Sequence, residues 1–419
     1  VRAKAQMPWW ILAACLSCGN LNACSSISPN FCREDQECGA CAQCLDGTCV
    51  PAGLTCGDNQ NGDSHSAGDG PAPADPGASG DTIKQGDSTP SGDDAPIQGV
   101  VWRELELPID TQEIRAIWGR SDTEIFVGVG AHGKVLKLVD GRWQVWTQLR
   151  AEIPNSGINS LWGTANQLFV GTGSPSPVLI ATDGVAFNFI AIDDGGSEGY
   201  PDSIADIHGL DDNEVYAVVA HYPGGSSLHR LGEETTTSLL SSPADAIRNL
   251  ESVWVVAPDQ LYLGGWGEIS FYDHGSVIQE AIDWPDDWLP NEILGVFIAD
   301  IVGVDDELYA VASHHFVFRR DDNLWTRVYG PDSPASSNSG GDLRAVAGCG
   351  NPTGQIAAVG SESLTGVTVA LDRGNGWVDV SPSQRLDGMA IFSVEPGRFL
   401  VGGAVRGSFD GLLLEATIP

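Results

Sequence analysis

"SIADIHGLDDNEVYAVVA" runs from Ser203 to Ala220, and "FIADIVGVDDELYAVAS" runs from Phe297 to Ser313, 94 residues further on. Sliding this pattern along the chain finds it seven times. The first segments are "IRAIWG" at Ile114, "INSLWG" at Ile158, "IADIHG" at Ile204, "LESVWV" at Leu250, "IADIVG" at Ile298, "LRAVAG" at Leu343 and "MAIFSV" at Met389, at intervals of 44 to 48 residues. Ten to thirteen residues after each start comes a second run, such as "IFVGVG", "LYLGGW" or "FLVGGA". These runs of six are β-branched, aromatic and small residues with no helical stripe, which is strand chemistry.

A third strand and a turn follow in most repeats, as in "KVLKLVDGRWQVW" and "VTVALDRGNGWVDV". Asp140-Gly141 and Asp183-Gly184 read as hairpin turns that need positive φ. Trp143, Trp325 and Trp377 open a fourth strand beyond the turn. Four short strands per ~46 residues is the period of an all-β propeller, between WD40 and kelch in length. The small residues of the second strand let neighbouring sheets approach, and its Tyr and Phe fill the wedge between them. The seventh repeat ends at Pro419 without a fourth strand, and "VVWRELELP" before the first repeat places Trp102 where Trp143 and Trp377 stand. The expected fold is therefore a seven-bladed β-propeller over 98–419, closed by an N-terminal strand, Val100–Leu107, that completes the last blade.

This repeat texture resembles the tandem repeats of secreted bacterial propeller proteins, which implies a fold and not an activity. In "ALDRGNGW", Asp372, Gly374 and Trp377 resemble the Asp-box of sialidase-type propellers, with Ala370 in place of Ser. That box is a structural turn in those families, so the likeness concerns architecture. Sialidase activity would require three arginines over the funnel. Arg115 and Arg344 on inner strands and Arg406 on a loop are the arginines considered, and nothing in the sequence ties them together.

The chain has 419 residues and a formal charge of −35, with 21 basic residues of which only four are Lys. This charge excludes nucleic acid, which calls for clustered cations, and polybasic docking to anionic lipid. The acidity reads as solubility outside the cell. No Ca²⁺-binding EF-hand loop occurs, nor a P-loop, GxSxG, HExxH or dinucleotide fingerprint.

Nine of the ten cysteines precede residue 57, a crowding that suits an oxidising compartment. Residues 1–15 carry Arg2 and Lys4 before the short apolar stretch Met7–Ala14, too brief to cross ~30 Å of hydrocarbon. "LAAC" at Leu12–Cys15 resembles the lipobox of bacterial lipoproteins. The resemblance implies acylation of Cys15 and an outer-membrane or cell-surface lipoprotein of a Gram-negative bacterium, since Leu16 is not the Asp that favours inner-membrane retention. A secretory signal cut elsewhere is the alternative. Over 16–56, Cys32, Cys38, Cys41, Cys44, Cys49 and Cys56 form an even set in a segment with too little apolar surface for a core, so disulfides are expected there. Cys18 with Cys24 could make the set eight; six cysteines allow fifteen pairings and eight allow 105, and the sequence does not choose among them. The spacing Cys38-x2-Cys41-x2-Cys44-x4-Cys49 also approaches an iron–sulfur run, but export removes the reduced thiolates a cluster needs. Cys349 is then left over as a buried free thiol. Residues 57–97 hold 8 Asp, 8 Gly and 5 Pro and no aromatic residue, the composition of a disordered spacer with an r.m.s. span of roughly 35 Å.

Connections entering each first strand are long, as in "FIAIDDGGSEGYPDS", "AIDWPDDWLPNE" and "YGPDSPASSNSGGD", and this marks one face for binding. The candidate ligand-binding residues on or near it are His132, His221, Tyr222, Trp266, Trp284, Trp288, His314, His315 and Arg406. Trp284 and Trp288 could stack on sugar rings or lie over the blade. The histidines suggest a metal, but alternate blades rarely bring ligands within the 2.0–2.1 Å that zinc needs, so no metal and no cofactor are expected. Asp193, Asp194, Glu198 and Tyr200 offer acid and base groups, but glycosidase carboxylates must stand ~5–9.5 Å apart across a bond, which the sequence does not show. The reading is a non-catalytic recognition or scaffold propeller, monomeric, lipid-tethered, with a protein or glycan ligand on the long-loop face. A glycan-acting hydrolase or lyase is the alternative, and a structural member of an envelope complex is a third reading.

Overall fold

A computed structural model describes strands 42–45 and 48–51 and residues 99–419, except 109–111, 131–132, 149–155, 174–178, 184–185, 193–199, 223–224, 242–248, 287, 294, 332–340, 350–353, 363–365, 375, 384–385 and 407. The segments expected to be leader and linker, most of the cysteine-rich stretch and His132 therefore lie outside the described residues. Ala42–Leu45 pairs antiparallel with Thr48–Pro51, placing Cys44 opposite Cys49 in the backbone register.

Among the described residues beyond 99 the regular structure is antiparallel strand, apart from one short helix at Pro290–Ile293 and one short parallel pairing. Five sheets have four strands each, and an eight-stranded sheet takes in repeats 4 and 5. In that sheet two four-stranded meanders touch along their outer strands, where Ala281 and Ile282 pair in parallel with Leu324 and Trp325. Glu280 locks this seam. It accepts two hydrogen bonds from Arg320, at 2.9 and 2.8 Å, and one from the Trp325 indole at 2.7 Å.

The innermost strands are Ile114–Gly119, Ile158–Gly163, Tyr200–Gly209, Ser252–Ala257, Ile298–Val304, Asp342–Cys349 and Leu386–Glu395. Each packs against the next, and the last packs against the first. The molecule from Val100 onward is thus a propeller of several blades. Its last sheet holds only three strands from the C-terminal end, and Val101–Glu104 supplies the fourth. Trp102 pairs with Ala416 in that sheet, and its indole donates to the Val380 carbonyl at 3.0 Å.

The "WG" of the repeat is an inter-blade joint. A Cβ on Gly163 would lie 2.8 Å from Trp118, one on Gly209 2.8 Å from Trp162, one on Gly303 2.9 Å from Trp254, and one on Gly119 2.8 Å from Phe392. Each indole or phenyl ring therefore enters the gap left by the next blade's missing side chain. Not every joint has this form: a Cβ on Gly348 would meet Val304 and no ring. Where Val255 replaces the glycine, the preceding ring is the smaller His208, whose Nδ1 accepts the Val255 N–H at 3.0 Å. A second set of contacts follows the same logic, since a Cβ on Gly128, Gly264 or Gly402 would meet Ile158, Ile298 or Ile114 of the next blade at 2.5, 2.8 and 2.4 Å. Phe126, Tyr216 and Phe399 are fully or almost fully buried in the wedges beside them.

One of the two expected hairpin turns is seen as its sequence requires; at the other, Asp183 accepts the Ala186 N–H at 2.9 Å and Gly184 lies outside the described residues. Asp140 and Gly141 have φ of 50° and 72°. Asp372 accepts the N–H groups of Gly374 and Gly376 at 2.8 and 3.1 Å, a structural Asx turn. Two readings need correction. Cys349, fully buried at the end of an inner strand, is disulfide-bonded and not a free thiol. The sequence count leaves it over only by assuming that Cys32–Cys56 pair among themselves. The seventh repeat is also shifted by one residue. Ala390 pairs with Gly402 as Ala116 pairs with Gly128, so Gly388, not Met389, occupies the place of Ile114.

Candidate binding site

In an antiparallel meander the connections from second to third strand and from fourth to next first strand emerge at the same end. Trp266, His314, His315, Arg406 and Phe409 lie on connections of the first kind, and Trp284, Trp288 and Leu289 on one of the second. Backbone bridges tie the two kinds together, pairing Trp266 with Phe297, Ser313 with Asp342 and Gln112 with Asp410. Trp266, Leu289 and Phe409 are 44%, 57% and 80% exposed, a large apolar presence for one face of an acidic molecule.

Several candidates serve the interior instead. Trp288 is buried edge-on to Phe316, with ring centroids 5.1 Å apart, and Trp284 packs edge-on to Phe316 and Phe318 at 5.7 and 5.1 Å. The two indoles lie over blade 5, so they do not form an exposed stacking pair. His221 is buried, and its Nε2 is 2.6 Å from Ser227 Oγ. That hydroxyl is also 2.6 Å from His229, whose Nδ1 is 3.0 Å from Thr236 Oγ1. This hydrogen-bonded chain fastens three strands of one sheet. His314 and His315 form a two-residue turn with φ of 62° and 66°, and His314 lies 5.5 Å from Trp288. Arg406 is half-buried and is not without partners. Tyr222 ends a second strand opposite Tyr200. Asp193, Asp194 and Glu198 lie outside the described residues.

A set of residues that sequence reasoning did not assemble lines the axis. The inner strands carry a β-bulge at the second position of the repeat, between Ile114 and Ala116, Ile158 and Ser160, Ile204 and Asp206, Ile298 and Asp300, Leu343 and Ala345, and Gly388 and Ala390. A bulge leaves one residue out of the ladder and re-aims its side chain. Those residues, with Glu251 in repeat 4, form a girdle of Arg115, Asn159, Ala205, Glu251, Ala299, Arg344 and Met389, none of them buried. Neighbours touch around it. Arg115 donates to Asn159 Oδ1 at 3.0 Å, and Arg344 rests on Met389 Sδ at 2.9 Å.

The girdle is electrostatically lopsided. Glu251 stands on one side, between the two alanines. Next to those alanines are the half-buried Asp206 and Asp300. Each carboxylate ties its blade to the next, Asp206 accepting the Val253 N–H at 2.8 Å and Asp300 the Val346 N–H at 2.9 Å. Burial pushes Asp206 up to about 6, opposed by its bonds from Val253 and Ile207. Asp300 is raised well above its usual value by burial and then by the charge of Asp206. Burial also raises Glu251, against a hydrogen bond from the Trp266 indole. On the other side stand Arg344 and Arg115, the latter paired with Glu113 at 2.7 Å. Among the described residues no group of three or more His, Cys, Asp or Glu is placed to hold a metal ion, and no helix is long and apolar enough to cross a membrane.

No protein-family model matches the sequence, and no curated protein does. Solved structures do match in fold. YCF48 bound to a D1 peptide is similar with a TM-score of 0.52 at 15% identity, covering 76% of this chain and 97% of that one. The RRP9 WD40 repeats match with a TM-score of 0.55 at 11% identity, covering 76% and 97%. A catalytically inactive variant of virginiamycin B lyase from Staphylococcus aureus, with quinupristin, matches with a TM-score of 0.56 at 13% identity, covering 77% and 100%. At such identities the likeness establishes the architecture and leaves activity to the site. The chain is a β-propeller similar in fold to YCF48, to WD40 repeats and to a lyase.

Proposed function

We propose that this chain is a non-catalytic recognition propeller of seven blades that presents its long-loop face to a peptide or protein partner. The eight-stranded sheet counts as two blades in edge contact, since its two meanders share only the short parallel pairing at Ala281 and Ile282. In the same reading the segment 16–56 is disulfide-rich, 57–97 is a spacer, and acylated Cys15 holds the protein at the outer membrane. Acyl-chain mass on the N-terminal peptide would read that anchor. The observation that carries the binding role is the exposure of Trp266, Leu289 and Phe409 on one face around a polar axial mouth. Aromatic anchors beside a polar rim are the composition of a recognition surface. YCF48 bound to a D1 peptide is an instance of this fold with a peptide ligand, which supports the reading. Binding of the full chain to peptide and glycan arrays tests the proposal. Peptide binding that Trp266→Ala and Phe409→Ala weaken about tenfold supports it. Binding indifferent to both changes, or release of reducing sugar from a glycan, moves the assignment to the alternative glycan-acting enzyme.

A further inference from the structure

Arg344 is one of the groups the fold leaves under-satisfied. It projects from a bulge into the axial mouth, and one terminal nitrogen rests on the thioether of Met389, a weak acceptor. Its Nε is buried and has no hydrogen-bond partner. No carboxylate pairs with it among the described residues, although the chain carries 56 acidic residues against 21 basic ones. Arg103, Arg115, Arg120, Arg230, Arg320 and Arg398 all have such a partner. The Arg344 Nε is closed to solvent, so an acceptor supplied from outside would reach the guanidinium through its terminal nitrogens, one of which has only the thioether as a partner. A planar guanidinium facing solvent with free donors is suited to two-point contact with a carboxylate.

The rest of the girdle narrows the ligand. Met389 gives Arg344 an apolar neighbour on one side and Ala299 leaves space on the other. Past Ala299 the wall turns acidic with Asp300, Glu251 and Asp206. A ligand with negative charge alone would be repelled there, whereas one with a carboxylate at one end and a cationic group at the other would meet a matching charge at both. We propose that the axial mouth of the long-loop face binds a zwitterionic ligand of the peptide type, its carboxylate on Arg344 and its cationic end toward Glu251, Asp206 and Asp300. The assignment rests on the recognition role of that face and adds the chemical class of what it recognises.

Calorimetric titration of the full chain with short lysyl-glycine peptides of graded length, each with a free carboxylate, tests it. At least one length should bind saturably. Amidation of the peptide's C-terminus, or Arg344→Gln in the protein, should each weaken that binding about tenfold or more. Arg344→Lys should restore part of it, and thermal melting should confirm that both variants stay folded. The assignment is overturned if no length binds, if amidated peptides bind as well as free ones, or if Arg344→Gln binds as the parent does. Array binding that depends on Trp266 and Phe409 but is indifferent to Arg344→Gln would retain the recognition face while removing this carboxylate site from it.

Discussion

His208 and Asp206 lie two residues apart on one inner strand and titrate with opposite consequences. Burial holds the His208 imidazole down to about 3, where it packs 3.9 Å from Trp254 and accepts from Val255. The unfolded chain takes up this proton near the ordinary histidine value, so the stability His208 contributes is intact above that value. It declines as pH falls, by roughly 2 kcal/mol at pH 5. Asp206 works the other way. Its folded carboxyl, raised to about 6, binds a proton before the unfolded one does. The cost of its charge is present above that pH and is relieved on acidification, by roughly 1 kcal/mol at pH 5. Urea midpoints at pH 7 and pH 5 should separate the two. His208→Gln should flatten the acid loss, and Asp206→Asn should steepen it. Equal slopes in parent and both variants would show that neither group governs the acid response.

At the scale of the strand, the joint between blades is a ring in one repeat and a missing side chain in the next. Gly209→Ala would place a methyl 2.8 Å from Trp162 and 2.5 Å from the Glu214 carbonyl, and the strand backbone has little freedom to yield. The expected cost is about 1–3 kcal/mol, read from the denaturant midpoint. The chain already contains the compensating pair, His208 facing Val255. Trp162→His should therefore recover part of the loss when combined with Gly209→Ala, a coupling that a double-mutant cycle measures. A strictly additive cycle would mean that the carbonyl, and not the indole, is what the methyl meets. The strands themselves were readable because runs such as "IFVGVG" carry their preference locally. The bulge was not readable, because it is defined by two residues opposing one on the partner strand. Met389 shows the difference: its repeat resembled the others in composition, yet pairing moved it one place, from the strand's first position into the girdle.

For the ring as a whole, Val101–Glu104 is the strand that completes the sheet formed by the C-terminal end. Arg103 reaches Glu415 at 3.0 Å and the Leu105 N–H continues the ladder to Leu413 at 2.9 Å. Such an end-to-end closure couples the first and last repeats, so opening either edge exposes both. Deletion of Val100–Leu107 from the isolated propeller should abolish its cooperative thermal transition. An unchanged melting curve would mean that the remaining three strands suffice. The closure was foreseeable because a missing fourth strand at one end and an orphan strand at the other can be counted along the chain.

The period, the strand order and the closing segment were all written along the chain, since each depends on local propensity or on counting units. The placement of the candidate groups was not. Nothing in the spacing separates Trp266, which reaches solvent, from Trp288, which lies under the loop it belongs to, because burial depends on what the next blade brings alongside. Arg344 and Glu251 are roughly ninety residues apart in sequence and share one girdle only because the ring closes. Distances across an axis are set by the number and tilt of the sheets around it, and no single repeat contains that information.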